Sequence, residues 1–96
     1  MNKNNTIRIS RARLGNLNKL SLKYPQILTV FIFLCDQMDE SNIARCSDQE
    51  IKEATNTSQP TLNKIINILK EQGFIDIKES ELGNAYFINP DIASNC

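Results

Sequence analysis

Short polar side chains are concentrated in one stretch of the chain. Hydroxyls and carboxamides occur there beside a single lysine, in the order Ser58, Gln59, Thr61, Asn63, Lys64 and Asn67. Such groups donate and accept hydrogen bonds in the patterns that base-pair edges present in the major groove of DNA, and Asn or Gln can make two bonds with adenine. A neighbouring cation can contact phosphate. The stretch therefore has the chemistry of a DNA-reading surface.

These side chains share a surface only if they lie on a helix, and the apolar residues between them predict one. Four of these recur with the period of an amphipathic helix: Leu62, Ile65, Ile66 and Leu69. Ser58 is predicted to be the N-cap, Pro60 suits the first turn, and Gly73 is the expected stop. Ser58 and the first backbone N–H groups could also hold a phosphate.

The segment before this helix predicts a second, shorter one. Ser47 is followed three residues later by Glu50, which is a capping box and sets a helix start at Asp48. We expect this helix to cover 48–54, with Ile51 and Ala54 facing inward. A turn rich in threonine, at 55–57, then joins the two helices.

The segment after Gly73 predicts a β-hairpin. Residues 74–77 and 85–88 alternate as two short strands around a loop at 78–84, in which Lys78, Ser80 and Asn84 could reach DNA. The acids Glu79 and Glu81 of this loop would repel phosphate. The order of elements predicts an α+β winged helix-turn-helix, with a three-helix core, a small antiparallel hairpin as the wing and an N-terminal arm.

The predicted organisation has three parts: a basic arm at 1–12, the winged helix-turn-helix domain at 13–90 and a tail at 91–96. The arm includes a short strand or extended segment at 6–11. Residues 12–22 are compatible with a short helix, residues 25–40 form the most apolar helix, and residues 42–46 suit a small first strand.

Charge is unevenly distributed although the net charge is zero. Residues 1–24 carry six bases and no acid, whereas residues 36–53 carry six acids and two bases. The bases Arg8, Arg11 and Arg13 could contact the DNA backbone while the acids face away from it. The alternative is an ordinary solvated basic tail.

The apolar helix at 25–40 has more apolar surface than one face of a small domain can cover. We expect part of it to lie in a homodimer interface. The alternative is that the N-terminal helix covers it. Its apolar stretch is much shorter than the roughly 20 residues that span a bilayer, and the N-terminus lacks the apolar region of a signal peptide. The sequence therefore predicts a cytoplasmic protein without membrane contact.

Catalysis has little support in the sequence. The chain has no histidine, no glycine-rich phosphate loop and no pattern of an activated nucleophile. Its three cysteines are not spaced as metal ligands, and an odd count favours a reducing compartment. We therefore expect no enzymatic activity, no metal and no cofactor.

The segment from residue 30 to residue 95 resembles the RepL-type plasmid replication proteins of low-GC Gram-positive bacteria, which contain a winged-helix region. The likeness is carried by Val30-Phe31, Glu50-Ile51, Ala54, Ser58, Pro60-Thr61, Lys64-Ile65, Leu69, Gly73-Phe74-Ile75 and Phe87-Ile88-Asn89-Pro90. The Asn-Pro ending after the last strand is the most distinctive of these. The resemblance implies sequence-specific binding to a plasmid origin.

The chain is accordingly interpreted as a homodimeric protein that binds double-stranded, AT-rich plasmid DNA at a replication origin. Two other DNA-binding roles stay open, namely an accessory protein at a conjugative transfer origin and a small transcriptional repressor. A further alternative is a protein-interaction module that docks a replication or transfer partner and binds no DNA; zero net charge and an acidic wing favour it.

Overall fold

The computed structural model describes residues 7–80 and 83–95, which form four helices and five short strands. The helices are α1 (Arg11–Lys23), α2 (Ile27–Gln37), α3 (Asp48–Thr55) and α4 (Gln59–Glu71). The strands are β1 (Ile7–Ile9), β2 (Ile43–Arg45), β3 (Ile75–Ser80), β4 (Gly83–Ile88) and β5 (Ala93–Asn95). The predicted α+β class is confirmed, and the arrangement is compatible with a winged helix.

The capping box fixes the start of α3 as predicted. The backbone N–H of Glu50 donates to Ser47 Oγ at 3.1 Å, and the backbone N–H of Ser47 donates to Glu50 Oε1 at 2.8 Å. Two orphan donors of the first turn are thereby satisfied. The helix ends where Asn56 adopts a left-handed conformation, with φ of 53°. A two-residue turn then leads to Ser58 and the start of α4.

The end of α4 also agrees with the prediction from sequence. Gln72 is the C-cap, and Gly73 has φ of +80°, a conformation that suits glycine because it lacks a Cβ. The chain reverses there and enters β3. The predicted apolar stripe of α4 is buried along its whole length: Leu62, Ile65, Ile66 and Leu69.

A three-stranded antiparallel sheet has the order β2-β4-β3. Strand β4 lies in the centre, with Ile43 of β2 opposite Phe87 and Ile75 of β3 opposite Ile88. Strands β3 and β4 continue to Ser80 and Gly83, which pair with each other. The predicted seven-residue loop at 78–84 is therefore mostly strand, because the ladder extends further than its apolar alternation; Glu81 lies outside the described residues.

Helix α2 is surrounded by the rest of the fold. It contacts α1, α3, α4, β2 and β4, and its buried residues are Ile27, Val30, Phe31, Leu34 and Cys35. Phe31 meets Phe74 edge to face, with ring centroids 5.5 Å apart. This packing agrees with the alternative in which the N-terminal helix covers α2. Ile32 stays 45 % exposed.

Two details of α3 and α4 differ from prediction. Ala54 is exposed, and Thr55 is buried in its place, because Thr55 lies one turn after Ile51 and its hydroxyl donates to the Ile51 carbonyl at 2.6 Å. Ser58 occupies the N-cap of α4, yet its side chain makes no cap hydrogen bond. Its hydroxyl donates instead to Thr61 Oγ1 at 3.0 Å.

The ends of the described chain belong to the fold, in contrast to the predicted arm and tail. Strand β1 pairs with β5, with Ile7 opposite Asn95, and the backbone N–H of Ser10 donates to the Ile92 carbonyl at 2.6 Å. Ile92 and Ala93 are buried. The short strand or extended segment expected at 6–11 is present as β1, whereas its partner β5 lies in the predicted tail and was missed, because a three-residue strand leaves a weak pattern in sequence. Residues 1–6 and Cys96 lie outside the described residues.

Candidate nucleic-acid interface

One face of α4 is polar and exposed, opposite its buried stripe. Asn63, Lys64 and Asn67 are exposed there. Asn67 lies four residues after Asn63 and three after Lys64, so both are its neighbours on the helix surface and the three groups form a continuous surface. The helix has 13 residues and a length of about 20 Å. Its polar face can thus present several side chains to one extended partner.

The start of α4 carries a chain of side-chain hydrogen bonds. Gln59 Nε2 donates to Asn63 Oδ1 at 2.9 Å and to Asp48 Oδ2 at 3.1 Å. Ser58 and Thr61 are bonded to each other beside them. All six predicted residues of the stretch 58–67 are thus exposed or half-buried, and two pairs of them are in contact.

Asp48 and Tyr86 belong to the same network, and neither was among the site residues predicted from sequence. The Tyr86 hydroxyl donates to Asp48 Oδ1 at 3.1 Å, across a separation of 38 residues. Burial, with the Asp48 charge nearby, raises the pKa of the Tyr86 phenol to about 12, so that it stays a donor at neutral pH. An acid in the first turn of a helix is favourable in any protein, so the position of Asp48 alone did not mark it as a site residue.

A cleft of about 300 Å³ separates α4 from the β3–β4 hairpin. Three amides, three apolar side chains and the Asp48–Tyr86 pair line it: Asn63, Asn67, Asn84, Leu62, Ile66, Ile77, Asp48 and Tyr86. The structure therefore brings Asn84 of the hairpin together with Asn63 and Asn67 of α4. The cleft offers donors and acceptors from both sides and an apolar floor.

The other hairpin candidates, Lys78 and Ser80, lie on β3. Lys78 is exposed on β3, where it pairs with Ala85 of β4. Ser80 ends β3, and its backbone alone is described. The hairpin thus places the amide of Asn84 at the cleft beside α4, whereas Lys78 follows the cleft-lining Ile77 and lies on the opposite face of the strand.

The N-terminal arginines are separated from this surface. Arg13 lies at the far end of α4, where its Nη2 donates to the Gln72 carbonyl at 2.9 Å and its guanidinium stacks over the Phe74 ring at 5.1 Å. Arg11 is exposed at the start of α1, and Arg8 lies in β1, where its backbone alone is described. The structure does not bring these three together with the amides of α4.

Cys35 and Cys46 have the properties of structural residues. Burial raises the pKa of the Cys35 thiol to about 12, and burial with the charges of Glu50 and Asp48 raises that of Cys46 to about 11. Neither thiol is a thiolate at neutral pH. Within residues 7–80 and 83–95, no group of three His, Cys, Asp or Glu side chains could hold a metal ion, and no helix has the length and apolar character to cross a membrane.

Comparison with known proteins assigns the chain to a family. The family model of the Firmicute plasmid replication protein RepL matches residues 5–95. The chain belongs to the RepL family. The match confirms the resemblance and covers more of the chain than the segment from residue 30 that carried it, since it includes β1 and α1. No curated protein and no solved structure gives a significant match.

Proposed function

We propose that this RepL-family chain is a sequence-specific double-stranded DNA-binding protein that acts, without catalysis, at a plasmid origin in the initiation or control of replication. The observation that carries the proposal is the row of amides on α4, exposed beside a hairpin in a chain of a plasmid replication family. Amides of this kind read base edges, and adenine is the base they suit best. An AT-rich site is therefore the expected target.

The docking we propose places α4 in the major groove, which is wide enough for a helix. Asn63 and Asn67 then face base edges, and Lys64 contacts a phosphate beside them. The hairpin runs next to the groove, where Lys78 and Asn84 can contact the backbone of the neighbouring strand.

Phosphate contacts from the N-terminal part come from a different surface in this proposal. Arg11 is exposed, and Arg8 precedes it in β1. Arg13 is engaged with Gln72 and Phe74, so its charge lies at the C-terminal end of α4. These cations extend the contact along the duplex rather than adding to the reading surface. Because plasmid DNA is the ligand, we place the protein in the cytoplasm.

A homodimer stays part of the proposal, but less exposed apolar surface is left for its interface than the sequence suggested. Most of the apolar surface of α2 is buried within the fold. The exposed large apolar side chains among the described residues are Leu22 at 87 % and Ile32 at 45 %. Light scattering at tens of micromolar tests the dimer, and a monomer mass would remove it from the proposal.

The second candidate is a protein-interaction module that docks a replication or transfer partner. The net charge of zero favours it, because it provides little attraction to phosphate. In that case the cleft between α4 and the hairpin would receive a peptide, and binding to DNA would be weak and insensitive to sequence.

Selection of bound duplexes from a random pool distinguishes the two candidates. We expect an AT-rich motif to be enriched, and anisotropy titration at two salt concentrations to show that its affinity falls steeply with salt. A match of the motif to a replication origin supports the proposal, whereas a match to a transfer origin or a promoter assigns one of the other DNA-binding roles. No enrichment, with weak binding at low salt only, would favour the protein-interaction module.

A further inference from the structure

The carboxylate of Asp48 receives hydrogen bonds from two other elements. Gln59 Nε2, at the start of α4, donates to Oδ2, and the Tyr86 hydroxyl of β4 donates to Oδ1, each at 3.1 Å. A carboxylate accepts hydrogen bonds and donates none. The amide of Gln59 must therefore turn its nitrogen, and not its oxygen, toward Asp48. Only one of the two amide orientations of Gln59 fits this contact.

The same constraint passes to Asn63, one helical turn further along α4. Gln59 Nε2 also donates to Asn63 Oδ1 at 2.9 Å, so both of its protons are used inside the protein. Asn63 must accept through its oxygen. Gln59 is left with its oxygen, Oε1, and Asn63 with the two protons of Nδ2 for an outside partner. We call Gln59 and Asn63 the reading pair.

We infer that Asp48 is a positioning residue that sets the hydrogen-bond polarity of the reading pair, so that the pair, rather than either amide alone, recognises adenine. This inference rests on the proposed function. Adenine presents the N6 amino donor next to the N7 acceptor in the major groove, whereas guanine presents two acceptors, O6 and N7. Gln59 Oε1 accepts from N6, and Asn63 Nδ2 donates to N7. On guanine, Gln59 Oε1 would face O6, and the two acceptors repel each other.

The position of Asp48 is itself fixed from two sides. The capping box of Ser47 and Glu50 holds the backbone at the start of α3. Tyr86 is 1 % exposed and comes from the central strand of the sheet. Asp48 therefore joins α3, α4 and the hairpin, and a rigid partner of this kind restricts the rotation of the Gln59 amide.

The variant Asp48→Asn tests the inference, because an amide at 48 can donate and so permits Gln59 to turn over. We expect the preference for adenine over guanine at one position of the selected site to fall about tenfold. Binding to random DNA at low salt should stay at the level of the control. The matched control is Glu53→Gln, which removes the same charge from an exposed position on the same helix. An unchanged adenine preference in Asp48→Asn would overturn the inference.

A second variant covers the case in which Asp48→Asn does not fold. Gln59→Ala leaves the Asp48–Tyr86 bond in place and removes the group that orients Asn63. We expect the same loss of adenine preference. If Gln59→Ala keeps the full preference, the reading pair does not recognise the base and the inference fails.

A measurement without DNA separates the geometry from the proposed function. In the free protein, the side-chain NH2 signals of Gln59 in a 15N NMR spectrum should exchange slowly with solvent, and exchange should become faster in Asp48→Asn but not in Glu53→Gln. If the wild-type chain enriches no duplex while these signals behave as expected, the proposed function fails and adenine recognition fails with it. If Gln59 exchanges equally fast in all three proteins, the inference alone is overturned.

Discussion

At its N-terminal end α4 exposes two amides that are bonded to each other, and one of them also bonds to a carboxylate of α3 that a hydroxyl of β4 contacts. At its C-terminal end the helix is held by a guanidinium and an aromatic ring. Gln59 and Asn63 form the first arrangement, and Arg13 with Phe74 forms the second. Both ends carry polar residues that sequence alone assigned to DNA binding. The difference between them lies in what each polar group faces.

The comparison shows how one helix can be anchored and still offer a binding surface. The guanidinium of Arg13 donates to a carbonyl of the last turn, where the helix dipole is negative, and this is favourable for folding. The amides at the other end are bonded to each other and to Asp48, and they keep donors and acceptors for a ligand. We expect substitutions at the two ends to separate stability from recognition.

The largest effect is expected at the anchored end, from Phe74→Ala. Phe74 is 1 % exposed and packs edge to face on Phe31, so its loss leaves a cavity between α1, α2 and the sheet. We expect a loss of about 3–5 kcal/mol in the free energy of unfolding. Urea denaturation followed by circular dichroism measures it. A loss below about 1 kcal/mol would show that this end is not an anchor.

Next in size is Arg13→Ala, compared with Arg11→Ala two residues earlier. Arg13 loses a charged hydrogen bond to Gln72 and its stacking on Phe74, which should destabilise the fold by about 2 kcal/mol. Arg11 is exposed, and its replacement should change the free energy of unfolding by less than about 0.5 kcal/mol. Equal losses in the two variants would contradict the distinction between them.

At the exposed end, Asn67→Ala should act on recognition alone. We expect a loss of about 1–2 kcal/mol in discrimination at one base of the selected site, since one amide contact to a base edge is removed. The free energy of unfolding should not change. Asn16→Ala, an exposed asparagine on α1, is the matched control. Unaltered base preference in Asn67→Ala would exclude this side chain from the reading surface.

The smallest effect is expected from Lys64→Ala, which should weaken binding to all duplexes alike. The slope of log affinity against log salt should decrease by about one, because one phosphate contact is lost. Lys70→Ala removes the same charge from an exposed position near the anchored end of the same helix. Equal slopes for the two variants would mean that Lys64 acts only through the net charge.

Local patterns predicted the elements that surround this helix. The capping box of Ser47 and Glu50, the apolar stripe of α4 and Gly73 as its stop are relations between residues a few positions apart, and the structure contains all of them. They depend on helix geometry alone, which sequence spacing determines directly.

The contacts that could not be predicted join distant parts of the chain. Asp48 meets Tyr86 38 residues away, and Arg13 meets Gln72 59 residues away. Asn42, buried with φ of 63°, donates to the carbonyls of Ile88 and Ala93. Sequence did not reveal these contacts because the partner of a polar group depends on how the elements pack, and no local pattern encodes it.

The pairing of β1 with β5 has a consequence for the order of folding. Because Ile7 lies opposite Asn95, this ladder closes a loop of nearly the whole described chain, and such closures carry the largest entropic cost. We expect α3 and α4 to form first and this ladder last, so that its amides exchange hydrogen most readily among the strands. Removing either strand leaves the other without its hydrogen-bond partner, so a change at one end of the sequence loosens the other.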